Sequence, residues 1–332
     1  MSGTLMDTTP LPPSAPGPSP PEAASAAMIP PAPVVTKSVQ QESPLSPLFD
    51  VFAGPHGIYP GVRWLIYLII GYVFFRLVGD LMHDLHPQSG GPIWWGMIAE
   101  GAMVFAAIVP GFMMARIEKR PFGEFGLPAH GAFRRNFWVG TLWGIASLSA
   151  LMLVLRLAGA FEFGSLALHG ASILKYAVYY AVFFLLTGFF EEFLFRGYSQ
   201  WVLSKGIHFW PTAALLSVAF GLVHGGNPGE GKTGLVAAGL IGFFFSLTLR
   251  RTGNLWWAVG FHMSWDWGES YLYSVPDSGG TMPGHLLNSS FHGPVWLTGG
   301  SVGPEGSLLV FVVIVAMWVL FDQLHPEVKY RS

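Results

Sequence analysis

Three short stretches place ionisable side chains where the chain is otherwise apolar. FFEEFLFRGY carries Glu191, Glu192 and Arg196, AFGLVHGG carries His224, and FHMSWDWGES carries His262, Asp266 and Glu269. An ionisable group at the centre of a membrane helix costs about 2.5–3.5 kcal/mol on insertion scales, so each calls for a partner or a task. On a helix Glu192 and Arg196 are four apart and share a face, with the glutamate in the favourable N-terminal position. Arg196 can therefore neutralise Glu192. Glu191 lies about 100° further round and remains available. His262 and Asp266 are also four apart, a spacing at which they hold a metal jointly or the aspartate orients the imidazole through one ring nitrogen.

These residues come from three different apolar segments, and convergence in a helix bundle would let them satisfy one another. A carboxylate with two histidines is a hydrolytic set. The carboxylate takes a proton from water, while the histidines bind the developing oxyanion or a metal. Glu191, His224 and His262 are the candidate ligands of a divalent ion such as Zn2+, and water must reach the site through a cavity. Helix depth sets up a tension, because Glu191 and His262 fall towards one end of their segments and His224 towards the opposite side of the membrane.

The elements that must position this set are membrane helices. Of 332 residues, 52% are hydrophobic and 11% charged, against about 25% charged in soluble proteins. The chain therefore reads as an all-α, polytopic membrane helix bundle. Eight spans are expected at about 61–82, 92–116, 136–158, 172–203, 209–225, 233–250, 254–273 and 307–323, each near the ~20 residues that a bilayer core requires. The bundle as a whole runs from 61 to 325. Residues 1–48 are rich in Pro, Ala and Ser and cannot bury enough apolar surface to offset their ordering entropy, so a disordered cytoplasmic tail is expected. Lys and Arg concentrate in alternate loops, which by the positive-inside rule puts both termini in the cytoplasm. The 274–306 loop, without Lys or Arg and rich in Gly, Ser and Pro, then faces outward. With no cysteine, thiolate catalysis, disulfides and Cys-ligated metal are excluded. A net charge of -2 gives no reason to expect nucleic acid as a partner. The expected partners are the bilayer and a membrane-associated protein or peptide.

Glu191-Glu192-x-x-x-Arg196, Phe220-x-x-x-His224 and His262-x-x-x-Asp266 resemble the three motifs of the CPBP intramembrane proteases. That family includes the type II CAAX prenyl endopeptidases and relatives that process bacteriocins or confer immunity to them. Arg120-Pro121-Phe122-Gly123-Glu124-Phe125-Gly126-Leu127 is similar to the basic loop before the family's core, and the resemblance covers about residues 115 to 275. It implies an intramembrane endopeptidase in a bacterial plasma membrane. Glu191 would be the general base, supported by Glu192 and Arg196. His224 would position base or water, and His262 with Asp266 would form the oxyanion site or contact the substrate backbone. The family has been described both as metal-dependent and as glutamate-dependent, and this chain permits either reading. Asp266 stands where many prenyl endopeptidases have Asn. An anion there favours orienting a histidine or binding a metal over a simple oxyanion hole.

Two other classes compete. A non-proteolytic scaffold or immunity protein could use the same helices to bind a partner. A proton-coupled transporter would also place Glu and His in spans, but no internal repeat or pair of broken helices is visible. Elsewhere, Arg76 and Glu100 sit at depths that sum to about a bilayer thickness, which predicts a buried structural ion pair. Asp80, His83, Asp84 and His86 read as a polar helix end.

Overall fold

In a computed structural model of the protein, Gly17 and residues 52–55, 57–85 and 94–331 are described. The Pro-rich tail (Gly17 apart) and His86 lie outside the described residues. The chain from Pro47 onward forms one compact unit. Its long elements are α1 (Pro60–Leu85), α2 (Trp94–Glu118), α3 (Arg135–Leu157), α4 (Ala171–Arg196), α5 (Tyr198–Ile207), α6 (Phe209–Val223), α7 (Lys232–Thr252) and α8 (Trp256–Trp267). A four-residue α9 (Val295–Thr298) precedes α10 (Leu309–Leu324). The strands are two-residue pairs, one of them joining Phe161–Glu162 to Ser290–Phe291. Helices dominate because lipid offers no partner for backbone N–H and C=O groups, which a helix satisfies within itself.

The described parts of the expected spans are mostly helical, though not every span is a single helix. Six helical stretches, Pro60–Leu85, Trp94–Glu118, Arg135–Leu157, Ala171–Ile207, Phe209–Gly226 and Lys232–Thr252, are long and apolar enough to cross a membrane. The expected seventh is α8 continued by a π-helical turn over Gly268–Tyr273, and the eighth, α10, has 16 residues. Many large apolar side chains, Leu142, Leu157 and Val312 among them, face outward, as a lipid solvent permits.

The expected fourth span, 172–203, is not one helix. It breaks at Gly197, whose N–H still bonds to the Phe193 carbonyl. A side chain at Gly197 would run into that carbonyl and the Phe193 ring, so only glycine allows the bend between α4 and α5. The loop before α3 fills the outside of this bend. Phe122 stacks on Phe193 with centroids 5.1 Å apart, and Phe125 packs edge-on to Tyr198 at 5.0 Å and Trp201 at 4.8 Å. Gly126 closes the loop at φ 95°, and its carbonyl accepts from the Leu255 N–H at 2.8 Å, just before α8.

Small residues bring α8 into position. A Cβ on Gly140 would strike the Trp257 carbonyl, and one on Gly144 would strike Ser264 Oγ and the Phe261 carbonyl. This small-xxx-small pattern lets α3 and α8 approach backbone to backbone. On the other side of α8, Gly188 of α4 leaves room for His262, whose Cβ is 3.3 Å from the place a Gly188 Cβ would take. The histidine is thus set against the helix that carries the two glutamates.

The expected Arg76–Glu100 pair does not form. Arg76 bonds to Asp80 one turn along its own helix at 3.2 Å, and both side chains are exposed. Glu100 turns instead into the interior, where it lines a cavity together with Thr187 and Glu191 of α4. Depth matching alone does not fix which face of a helix a residue occupies.

Candidate active site

Glu192 and Arg196 are fully buried, and Arg196 Nη1 donates to Glu192 Oε1 at 3.2 Å. The guanidinium lies over the Phe220 ring, 4.1 Å from its centroid. Gly242 of α7 makes space for its outer nitrogen, since a Cβ there would strike Nη2. A buried ion pair recovers its desolvation cost only with close geometry and further bonds. Here the further bond comes from His262, whose Nδ1 lies 3.1 Å from the same Glu192 oxygen. A carboxylate only accepts, so Nδ1 carries the hydrogen.

With Nδ1 committed, His262 presents Nε2 to the interior. Two carboxylates face it, Asp266 Oδ2 at 3.4 Å and Glu191 Oε2 at 3.7 Å. Glu191 Oε2 has no hydrogen-bond partner. The division between a paired Glu192 and a freer Glu191, expected from helical spacing, is what the geometry shows. Both ring nitrogens of His262 have a carboxylate neighbour: Glu192 holds Nδ1, and Asp266 lies beside Nε2.

His224 caps α6 and begins the turn His224–Gly226. Its Nδ1 bonds to the Phe220 carbonyl at 2.7 Å, and its ring lies 4.5 Å from the Phe220 ring. Phe220 therefore links two parts of the site, since it also carries Arg196. His224, at the end of α6, lines the same cavity as Glu191.

Glu191, His224, His262 and Asp266 all line one cavity of about 480 Å³. Sequence reasoning missed several other lining carboxylates: Glu230, Asp277 and Glu305, together with Glu100, which it had placed in an ion pair. The first three lie in or beside loops, where an acidic residue carries no signal of burial. Asp277 and Glu305 reach the cavity because the 274–306 loop folds back over the bundle, tied down by the Phe161–Phe291 strand pairing and by the Leu286 N–H on the Tyr271 carbonyl at 3.1 Å. Burial, with Asp266 and Glu305 beside it, pushes the Asp277 carboxyl well above the usual carboxylate range.

The fit to a metal divides. His262 and His224 each bond to a neighbour through Nδ1, as metal-bound histidines do. Yet among the described residues the ligand atoms of Glu191, His224 and His262 do not gather within 4.8 Å of one another; those of Asp266, Asp277 and Glu305 do. The spacing of the Glu191 set does not suit a single ion, and no step below passes through one.

The family model described as Rce1-like, type II CAAX prenyl endopeptidase Rce1-like, matches residues 172–268. That span begins in α4 and ends just past Asp266, so it contains all three motifs. Over this segment the match supports the resemblance to the CPBP intramembrane proteases. No curated protein and no solved structure matches the chain. The protein is an integral membrane protein whose central segment matches a protease family. That segment holds Glu191, both histidines and the buried ion pair. Helices α1 to α3, the 274–306 loop and α10 lie outside the match, and through Glu100, Asp277 and Glu305 they furnish part of the cavity wall.

Proposed function

We propose that the protein hydrolyses a peptide bond in a membrane-associated protein or peptide, with Glu191 as the general base and no metal in the reaction. The observation that carries this reading is the placement of His262. Its Nδ1 is fixed on buried Glu192, while Nε2 and the unpartnered Glu191 Oε2 lie 3.7 Å apart at the cavity wall. A water held by Glu191 would lie beside a ring nitrogen aimed at the same point.

In the proposed reaction Glu191 removes a proton from that water as it attacks the scissile carbonyl carbon. His262 and His224 face the cavity through Nε2, and a proton on either nitrogen lets it donate to the oxyanion that forms. Glu191 then returns the proton to the leaving amine as the C–N bond breaks. Arg196 pairs with Glu192, and Glu192 keeps His262 turned towards the reaction. Asp266 restrains the same ring from its far side. The substrate is of CAAX or bacteriocin type, and the membrane is a bacterial plasma membrane with both termini cytoplasmic. The matched family's printed name supports the first, and the distribution of Lys and Arg among the loops supports the topology.

The decisive experiment compares purified wild type with Glu191→Gln on a membrane-anchored peptide library, with products read by mass spectrometry. The variant keeps the size of the side chain but removes the base, and a loss of at least about 100-fold in kcat is expected. Cleavage at the wild-type rate would sink the proposal. Unimpaired biological activity in Glu191, His224 and His262 alanine variants would point to the scaffold reading instead.

A further inference from the structure

We propose that Asp266, Asp277 and Glu305 form a binding site for a hard divalent cation, calcium by preference, next to the catalytic histidine but separate from the reacting centre. One carboxylate oxygen from each of the three lies within 4.8 Å of those of the other two. Calcium bonds to oxygen at 2.3–2.6 Å, so two ligands on opposite sides of the ion are about 4.6–5.2 Å apart. The set offers only oxygen, which suits a hard ion and not the softer N/S-seeking metals.

The three groups come from different parts of the chain. Asp266 is on α8, Asp277 follows the π-helical turn, and Glu305 precedes α10. Hydroxyls already fix one oxygen of each loop residue: Ser270 Oγ donates to Asp277 Oδ2 at 3.3 Å, and Ser278 Oγ donates to Glu305 Oε2 at 2.7 Å. Among the described residues no hydrogen bond reaches the second oxygen of either.

A separate observation asks for positive charge at this place. Glu269 is completely buried, and neither of its carboxylate oxygens has a hydrogen-bond partner. The charged groups that bear on it are Glu305, Asp277 and Asp266, the members of the cluster, and no cation is among them. Trp265 turns its indole N–H towards Glu269 without closing a hydrogen bond. The cavity offers no relief, because six carboxylates and two histidines but no Lys or Arg line it among the described residues. An uncompensated buried carboxylate is costly, and one divalent ion would offset four of them.

Such an ion would also act on catalysis. Asp266 Oδ2 is 3.4 Å from His262 Nε2, so a cation drawing on Asp266 weakens its hold on the ring and leaves that nitrogen freer for substrate. Asp277 and Glu305 lie outside residues 172–268, so two of the three ligands come from beyond the matched segment.

The test uses full-length protein in detergent, stripped of metal and titrated with CaCl2, with unfolding temperature as the readout. A saturable rise is expected in wild type and equally in Glu191→Gln, so failure of the cation site and failure of the protease reading are distinguishable. The rise should be absent in Asp277→Asn/Glu305→Gln. No rise in wild type, or the same rise in the double variant, overturns the proposal. Should the double variant not fold, Tb3+ added to wild type decides the question. Emission sensitised by Trp265, displaced by Ca2+ and reduced in Trp265→Phe, is the expected result; absence of Ca2+-displaceable emission overturns the site.

Discussion

Glu192 Oε1 accepts from His262 Nδ1 at 3.1 Å and from Arg196 Nη1 at 3.2 Å. One buried oxygen therefore joins the ion pair of one helix to the histidine of another. In the proposed reaction Glu192 is a positioning residue, since its bonds run to His262 and Arg196.

Glu192→Gln should keep a weak bond to the ring but lose the charge that balances Arg196. Removing one partner of a buried pair costs about 3–5 kcal/mol, so thermal unfolding should move down clearly. Loss of an orienting partner of this kind lowers activity about 10–100-fold. Kinetics on the folded fraction should show the loss in kcat with KM nearly unchanged. A rise in KM alone would assign Glu192 to substrate binding instead.

Gly144→Leu should separate α3 from α8, since even a Cβ at that position meets Ser264 Oγ and the Phe261 carbonyl. Overpacking commonly costs about 1–3 kcal/mol, and a backbone contact leaves little room to relax. Because α8 carries His262, activity should fall more than stability does. Detergent melting curves and cleavage rates measured together check this, and an unaffected cleavage rate would show that the α3–α8 approach does not set the site.

A zinc-selective chelator should leave the cleavage rate unchanged, because the ligand atoms of Glu191, His224 and His262 do not share a coordination sphere. The measurement is an initial rate before and after chelation, with zinc added back. Inhibition that zinc reverses would contradict the metal-free reaction.

The raised Asp277 pKa predicts a pH effect on stability. Burial and the neighbouring Asp266 and Glu305 hold the proton on Asp277 in the folded chain beyond the pH at which the unfolded chain releases it. Between those two points the folded state binds more protons, so stability falls as pH rises, starting near the ordinary carboxylate range. In calcium-free buffer the melting temperature of wild type should decline over this window, and Asp277→Asn should flatten the decline. A wild type that gains stability across the same window would show that other carboxylates dominate.

The sequence by itself determined that this is a helical membrane protein, and it singled out Glu191, Glu192, Arg196, His224, His262 and Asp266 as ionisable groups in apolar segments. Both conclusions rest on local rules: apolar run length sets a span, and a four-residue spacing sets a shared face. The division between Glu191 and Glu192 was legible for the same reason. Tertiary structure alone decided what the buried groups face. It put Glu192 on His262 Nδ1, turned Glu100 away from Arg76 into the cavity, and broke the long fourth span at Gly197. It also folded a polar loop inward so that Asp277 and Glu305 meet Asp266. Rotation of a helix about its axis and the path of a long loop depend on packing between distant segments, and periodicity within one segment does not encode them.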